Sequence, residues 1–253
     1  MLLLRSVIFT SLMIITVVFY AAALVVCGPF ISYRGRFIIA EGWCTLVYRM
    51  LKFFCKLDYR LEGRENIPEN NCIVYMKHQS TWETLLTVIL FPYQSWVLKR
   101  ELQWIPFFGW ALAMMHPIAI DRRAGHSAVQ QVIDQGSKHL EEGFWIMIFP
   151  EGTRMPPGTT RRYGLSGAVL ASKTGTPILP IALNAGDFWP RHSWIKKPGT
   201  ITVRIGKPIE TAGREPVDIN KEAQEWIEAQ MREISVAYAD GGKWLEKPRH
   251  LKT

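Results

Sequence analysis

Residues 72–90 read CIVYMKHQSTWETLLTVIL and place a short apolar run directly before a segment with helical spacing. The run at 72–76 is apolar and partly β-branched, which predicts a buried strand. The segment at 81–90 predicts a helix, and the polar turn between the two contains His78. A strand followed at once by a helix is the repeating unit of α/β folds, so this stretch indicates the fold class.

The same alternation continues toward the C-terminus. Further apolar runs predict strands at 95–98, 117–120, 145–149, 178–182 and 201–205. Helical patterns lie at 127–142, 167–174 and 220–238. We therefore expect an α/β sheet covered by helices over residues 58–240, followed by a polar and basic tail at 241–253.

The N-terminal part has a different character, because positions 6–27 contain no charged residue. As a helix this segment is about 33 Å long, enough for a hydrocarbon core of about 30 Å. A cleaved signal peptide is the alternative, since alanines at 21–23 could serve a cleavage site, but the run exceeds the usual apolar length of about 7–15 residues. We expect a retained membrane anchor. Arg34 and Arg36 after it, against Arg5 before it, favour a cytoplasmic main domain.

A basic amphipathic helix is expected at 43–57, which completes an N-terminal membrane unit of residues 1–57. Arg49, Lys52 and Lys56 fall on one helical stripe, and apolar residues occupy most of the rest. This pattern is typical of a helix that lies on an anionic membrane surface. A core helix with one solvated face fits the same pattern and stays open.

The net charge of +8 is compatible with nucleic acid, anionic lipid or acidic small substrates. The absence of zinc-finger spacing and of an RNP-like aromatic signature argues against nucleic acid. The four cysteines show no CxxC spacing and are predicted to be free thiols of a reducing compartment. They are Cys27, Cys44, Cys55 and Cys72.

His78 and Glu83 combine a base with a carboxylate five positions away, at the end of the predicted strand. A carboxylate one turn into the helix can hold Nδ1–H of the imidazole and leave Nε2 free to accept a proton. The competing interpretation is structural, because Ser80 followed by Glu83 is also a capping box. A metal site is not favoured, since this is one histidine without the HExxH arrangement.

The segment His78–Glu83 resembles the H-x4-D/E motif of the glycerolipid acyltransferase family, in particular its bacterial 1-acyl-glycerol-3-phosphate acyltransferases. Three further blocks are similar to that family in order and spacing: IAIDR at 118–122, FPEGTR at 149–154 and TPILPI at 176–181. The resemblance covers residues 70–185. It implies a mixed sheet covered by helices of the glycerol-3-phosphate acyltransferase type, preceded by a membrane-anchoring segment, at a bacterial inner membrane.

The resemblance also implies a reaction. His78, oriented by Glu83, would act as general base on the 2-hydroxyl of lysophosphatidic acid, which would attack an acyl thioester of coenzyme A or acyl carrier protein to give phosphatidic acid. No covalent acyl-enzyme is required. Neither a metal nor a redox cofactor is implied. The expected acceptor-binding residues, by family position, are Lys99, Arg122, Glu151, Gly152, Thr153 and Arg154.

Several alternatives stay open at this stage. Lys99 could belong to a solvated charged run and Arg122 to a surface pair, and Glu151 is expected to have a structural role in its turn or near the glycerol. Residues 102–110 could line an acyl groove, rest on the bilayer or form plain core. Two departures from the family pattern, Glu83 in place of the commoner aspartate and Tyr163 followed by glycine instead of a nearby lysine, bear on acceptor specificity; Arg161 and Arg162 could supply that charge. The rival functions are the same chemistry on another lysolipid or amino-lipid, or a non-catalytic lipid-binding membrane protein.

Overall fold

The computed structural model describes residues 1–121, 126–239 and 241–246. The strands are β1 (Leu57–Glu62), β2 (Ile73–Met76), β3 (Gln94–Lys99), β4 (Ile118–Ile120), β5 (Trp145–Ile148), β6 (Thr159–Thr160), β7 (Ile178–Leu183), β8 (Gly199–Ile205) and β9 (Lys243–Trp244). The α-helices are α1 (Leu2–Cys27), α2 (Tyr33–Met50), α3 (Trp82–Leu90), α4 (Phe108–Ala113), α5 (His126–Glu141), α6 (Ser166–Thr174), α7 (Ala185–Phe188) and α8 (Pro216–Ile234).

Seven strands form one mixed sheet in the order β1-β8-β7-β2-β5-β3-β4, which confirms the predicted fold class. All neighbours in this sheet are parallel except β7 and β8. The strand β2 is central and pairs in parallel with both β5 and β7. Because the carboxyl ends of parallel strands meet at one edge of a sheet, the residues after β2 and after β5 come together there.

Helices cover both faces of the sheet. Alternate residues of β2 point to opposite faces, as the pleat requires: Val74 packs in the core under α1, α2 and α3, whereas Tyr75 packs in the core under α5, α6 and α8. The first core contains Trp82 of α3, and the second contains Ile227 of α8. The catalytic candidates therefore follow a strand that is buried on both sides.

The expected basic helix at 43–57 is divided in the structure. The helix α2 ends at Met50, a π-helical turn covers Leu51–Cys55, and Lys56 adopts a left-handed conformation before β1. Lys52 and Lys56 are exposed as the stripe predicted, but Leu51 is buried in the core that covers the sheet. The core-helix interpretation therefore holds for one face of the segment and a solvated basic stripe for the other.

The N-terminal helix is the candidate membrane element of the described chain. Residues Leu2–Phe30 form a 29-residue apolar stretch with a mean hydropathy of 2.4, and most of it is exposed. One face packs on the protein: Phe9 contacts the Trp189 ring edge-on at 5.6 Å between centroids, and Trp43 Nε1 donates to Thr16 Oγ1 at 3.2 Å. The other face exposes large apolar side chains, such as Phe19.

The structure adds elements that the apolar patterns did not indicate. The strand β1, with the sequence LDYRLE, has only partial apolar alternation, and it is held by parallel pairing with β8. The helix α8 begins at Pro216 rather than at the predicted residue 220. The proline does not prevent this earlier start, because proline is well tolerated in the first turn of a helix. In the tail, β9 pairs in parallel with β6.

Candidate active site

His78 and Glu83 are in contact at the carboxyl end of the central strand. Glu83 Oε1 lies 2.9 Å from His78 Nδ1. Because an ionised carboxylate oxygen only accepts hydrogen bonds, this contact assigns the ring hydrogen to Nδ1 and leaves the lone pair of Nε2 free. The imidazole is therefore arranged to accept a proton at Nε2.

Glu83 also has the capping role that competed with the catalytic one. Its Oε1 accepts hydrogen bonds from the backbone N–H groups of Gln79 and Ser80, both at 2.6 Å. The Ser80 hydroxyl in turn accepts from the backbone N–H of Trp82 at 3.1 Å. The side chain of Glu83 is fully buried, so three donors on one oxygen hold the carboxylate in a single position. Capping the turn and orienting His78 are thus one arrangement.

The imidazole lies in the wall of an apolar cavity of about 280 Å³. It stacks on Phe149, the residue after β5, with ring centroids 4.0 Å apart and planes 19° apart. Apolar side chains of α1, α2, α3 and α4 form most of the other walls, among them Leu24, Trp43 and Leu85. The cavity is suited to an aliphatic chain whose reactive end reaches His78.

The backbone of His78 is held on both sides by the loop after β5. Its N–H donates to Glu151 Oε2 at 3.3 Å, and its carbonyl accepts from the N–H of Met155 at 2.7 Å. Glu151 is buried and forms an ion pair with Lys77 at 2.9 Å. The structural role expected for Glu151 is therefore what its contacts indicate.

Lys77 is the centre of a buried ionic cluster that joins α8 to the turn between β2 and α3. This turn, residues 77–81, carries the candidate base His78 and is called the catalytic turn below. Its Nζ donates to Glu228 Oε1 at 2.7 Å, and the same oxygen accepts from Thr160 at 2.8 Å and Tyr163 at 3.1 Å. Burial opposes the charge on Lys77, but Glu151 and Glu228 outweigh it and raise the pKa of Lys77 above its ordinary value. This lysine is a charge with two anionic partners.

Arg154 lies further along the loop after β5, and it lines a polar pocket rather than the apolar cavity. Its Nη1 donates to Thr81 Oγ1 at 3.0 Å, which connects it to the turn that carries His78. Its carbonyl accepts from Arg191 Nη1 at 2.6 Å, and the backbone N–H of Arg191 donates to the Gln79 carbonyl at 3.1 Å. Arg191 therefore ties Arg154 and the catalytic turn together.

The remaining residues predicted for the acceptor are distributed differently than expected. Lys99 lines the apolar cavity and forms an ion pair with Glu101 at 3.2 Å, so it does not share the pocket of Arg154. Arg122 lies outside the described residues. The N–H of Gly152 donates to the Phe149 carbonyl at 2.9 Å and closes the turn. Thr153 follows in this turn and is partly exposed.

Residues 102–110 take two of the three expected positions. Leu102 and Phe108 line the apolar cavity. Trp104, Ile105 and Trp110 are exposed, and Trp104 is 66% accessible. The plain-core interpretation does not hold for these side chains, because the segment borders the cavity on one side and the surface on the other.

The motif comparison assigned no role to three residues that the structure places at the site: Lys77, Glu228 and Lys196. Lys77 stands directly before His78, and a lysine that follows a buried strand is the signal that could have identified it. Glu228 lies on an amphipathic helix with many charges and is not distinctive in sequence. Lys196 follows the basic and aromatic segment WPRHSWI at 189–195, whose composition was a signal for a binding loop.

Comparisons with known proteins agree with this geometry. The family profile described as Acyltransferase matches residues 58–184. The chain is similar to a Pseudomonas aeruginosa protein named 1-acyl-sn-glycerol-3-phosphate acyltransferase, with 43% identity over 212 residues, 82% of each chain. It is also similar to a human protein named 1-acyl-sn-glycerol-3-phosphate acyltransferase alpha, with 26% identity over 226 residues, 87% of this chain and 80% of that one.

A solved structure has the same fold. The crystal structure of the 1-acyl-sn-glycerophosphate (LPA) acyltransferase PlsC from Thermotoga maritima superimposes with a TM-score of 0.75 and 24% identity. The match covers 92% of this chain and 95% of that chain. The N-terminal helices are thus largely included in the shared architecture.

Proposed function

This chain belongs to the acyltransferase family, and we propose that it transfers a fatty acyl chain from an acyl thioester to the 2-hydroxyl of lysophosphatidic acid. The product is phosphatidic acid. The observation that carries this proposal is the His78–Glu83 pair, which leaves Nε2 free in the wall of an apolar cavity. A base in the wall of an apolar cavity is what transfer of an acyl chain to a hydroxyl group requires.

In the proposed mechanism, His78 Nε2 takes the proton of the 2-hydroxyl as the oxygen attacks the thioester carbonyl. The tetrahedral intermediate collapses with cleavage of the C–S bond, and the protonated imidazole returns the proton to the departing thiolate. Glu83 holds the ring and stabilises the imidazolium formed in between. Because the acceptor's own hydroxyl is the nucleophile, no residue of the chain becomes acylated.

The acyl chain and the acceptor's phosphate bind in two different pockets. The apolar cavity at His78 accommodates an acyl chain, and the polar pocket of Arg154 accommodates the phosphate of the acceptor. The Arg154–Thr81 contact connects the two, since Thr81 lies on the turn between His78 and Glu83. Lys99 lies at the wall of the apolar cavity and outside the pocket of Arg154, so it is not assigned to this phosphate site. The acyl donor is a thioester of coenzyme A or of acyl carrier protein.

The first experiment follows transfer of a labelled acyl chain to lysophosphatidic acid, glycerol 3-phosphate and a neutral lysolipid. Both acyl-coenzyme A and acyl carrier protein donors are supplied to the wild-type protein in detergent. We expect transfer to lysophosphatidic acid and a loss of about 10²–10⁴-fold in kcat in His78→Ala. His139→Ala, a half-buried histidine outside the site, is the matched control. Retention of activity in His78→Ala would contradict the mechanism. Transfer only to another acceptor would keep the reaction type and show that lysophosphatidic acid is not the acceptor.

The same family membership supports association with a membrane, and the packing of α1 suggests how it is arranged. The helix contacts the protein from Ser6, whose hydroxyl accepts from the Lys196 N–H at 2.9 Å, to Leu24 in the apolar cavity. A helix that packs against a folded domain along its length cannot span the bilayer unless that domain enters the bilayer with it. The exposed face of α1 would therefore lie in one leaflet, with the main domain on the cytoplasmic face of the inner membrane.

This arrangement is testable by labelling. Cys27 is the only exposed cysteine among the described residues, and Leu2→Cys would place a second thiol at the other end of α1. In inverted membrane vesicles, a membrane-impermeant maleimide should label both positions. Labelling of only one end would indicate that α1 crosses the bilayer.

A further inference from the structure

The polar pocket beside the catalytic turn has a volume of about 350 Å³, and its charged side chains are all cationic. It lies between α1, which contributes Thr10, and the segment 189–196, which contributes His192 and Lys196; Thr81 and Arg154 form the side toward the active site. Two permanent cationic side chains line it, and none of its described lining residues is acidic. Such a pocket attracts an anion.

Lys196 is the unusual member of this pocket because it is a buried ammonium group without a carboxylate partner in the described part of the chain. The residue is 2% exposed. Its Nζ donates to Thr10 Oγ1 at 2.6 Å and to the Trp194 carbonyl at 3.2 Å, which accounts for two of its three hydrogens. The rings of Phe9 and Trp189 lie 5.7 and 5.0 Å from it.

The desolvation of Lys196 is therefore compensated only by neutral groups. Burial lowers the pKa of Lys196, in contrast to a lysine that has gained an anionic partner. A neutral side chain could hold α1 against the segment equally well without this cost, so the tie to Thr10 does not explain why the residue is a lysine. A phosphate group in the pocket would supply the missing anion.

The segment that carries Lys196 is rigidly connected to the reacting centre. Arg191 donates to the carbonyls of Arg154 and Gln79, and Gln79 is the neighbour of His78. The cations of the pocket and the general base therefore belong to one hydrogen-bonded unit. A phosphate held by this unit is fixed relative to His78, as a reaction at the adjacent hydroxyl requires.

Resting on the function proposed above, we propose that Lys196 is the second cation, with Arg154, of the site that binds the acceptor's phosphate monoester. In this arrangement the N-terminal helix takes part in substrate binding, since Thr10 positions the ammonium group. The headgroup then lies between the N-terminal helix and the catalytic turn.

The test compares Lys196→Met with Lys197→Met, an exposed lysine of the same segment. In Lys196→Met we expect the KM for lysophosphatidic acid to rise about ten- to a hundredfold, the size of one lost charge-assisted contact. The KM of the acyl donor and the thermal unfolding midpoint should stay close to wild type, because methionine fills the same space. Lys197→Met should match wild type in all three measurements.

Two outcomes would overturn the proposal. In the first, Lys196→Met leaves the acceptor KM within twofold of wild type. In the second, acceptor KM, donor KM and unfolding midpoint all worsen together and Thr10→Val reproduces the loss, which would make Lys196 a tether of α1 only. Thr10→Val keeps the charge, so on the proposal its effect on acceptor KM is smaller than that of Lys196→Met.

Further measurements distinguish failure of the proposed function from failure of the Lys196 assignment. If the wild-type protein does not acylate lysophosphatidic acid, or Arg154→Met leaves its KM unchanged, the proposed function or its phosphate site has failed. If Arg154→Met raises the KM and Lys196→Met does not, only the present proposal has failed. Inorganic phosphate should compete with lysophosphatidic acid in wild type and less strongly in Lys196→Met. Inhibition weakened in this variant without a change in acceptor KM would identify a free-phosphate site and overturn the acceptor assignment.

Discussion

Lys77 and Lys196 are both buried lysines beside the catalytic turn, but their surroundings are opposite. Lys77 contacts two carboxylates, Glu151 and Glu228, and its pKa is raised. Lys196 contacts a hydroxyl, a carbonyl and two aromatic rings, and its pKa is lowered by burial. The charge of a buried lysine with counterions is compensated within the protein, whereas a buried lysine without them in a pocket has its charge available for a ligand.

The largest expected effect is the loss of the paired lysine. Lys77→Met leaves Glu151 and Glu228 buried without their common cation, and removal of one partner of a buried ion pair costs about 3–5 kcal/mol. We expect a corresponding fall in the free energy of unfolding, measured by denaturant titration in detergent, and a loss of acyl transfer because Glu151 no longer holds the His78 N–H in place. A variant as stable as wild type would show that the cluster does not stabilise the fold.

Removal of one counterion should have an intermediate effect. In Glu228→Gln, the amide oxygen can still accept from Thr160 and Tyr163, but Lys77 keeps only Glu151 as an anion. The expected loss is about 1.5–3 kcal/mol, the range for a hydrogen bond to a charged group. Glu225→Gln, at an exposed position of the same helix, is the control and should be neutral. Equal unfolding free energies for the two variants would contradict a stabilising ion pair between Glu228 and Lys77.

These two lysines also mark the limit of what the sequence predicted. The contact of the proposed catalytic pair could be predicted because His78 and Glu83 are five residues apart, and a strand followed by a helix determines their relative position. All six predicted strands are present, since buried strands are continuous apolar runs. The contact of Lys77 with Glu228 spans 151 residues and that of Lys196 with Thr10 spans 186, and no local pattern encodes such pairings.

The acceptor cations show the same limit. Lys99 and Arg154 were assigned to one phosphate site from their family positions, but the structure places them in two pockets. Position in a motif predicts that a residue is near the reaction and does not predict which wall it forms. Likewise, β1 was missed because its stability comes from pairing with β8, more than 130 residues later, rather than from its own apolar content.

The unpaired lysine should give the opposite stability result to the paired one. Lys196→Met replaces a buried charge without a counterion by an apolar side chain of similar length, and this removes the free-energy cost of burying an unpaired charge. We expect a free energy of unfolding equal to wild type or higher by about 1 kcal/mol, together with the weakened acceptor binding described above. A loss as large as that of Lys77→Met would remove the contrast between the two lysines.

The smallest expected effect is a difference between Lys77 and Lys196 in how each makes the free energy of unfolding depend on pH. For Lys196 the folded pKa is below the ordinary 10.5 of the unfolded chain, so between these two values the unfolded state binds more protons and stability rises with pH. For Lys77 the folded pKa is above 10.5, so its stabilisation is complete below 10.5 and is lost only as the pH rises beyond it.

The difference in unfolding free energy between wild type and Lys196→Met should therefore change as the pH approaches 10.5 from below, in favour of wild type. Other groups near Lys196 are the Thr10 hydroxyl, the Trp194 carbonyl, the Arg154 and His192 side chains of the same pocket, and the Cys55 thiol, whose charge raises the pKa of Lys196. Cys55→Ser in both backgrounds separates its contribution. A lysophosphatidic acid ligand should reduce the slope, because a bound phosphate raises the pKa of Lys196 again. A flat difference curve without ligand would mean that Lys196 is not held as an unpaired charge.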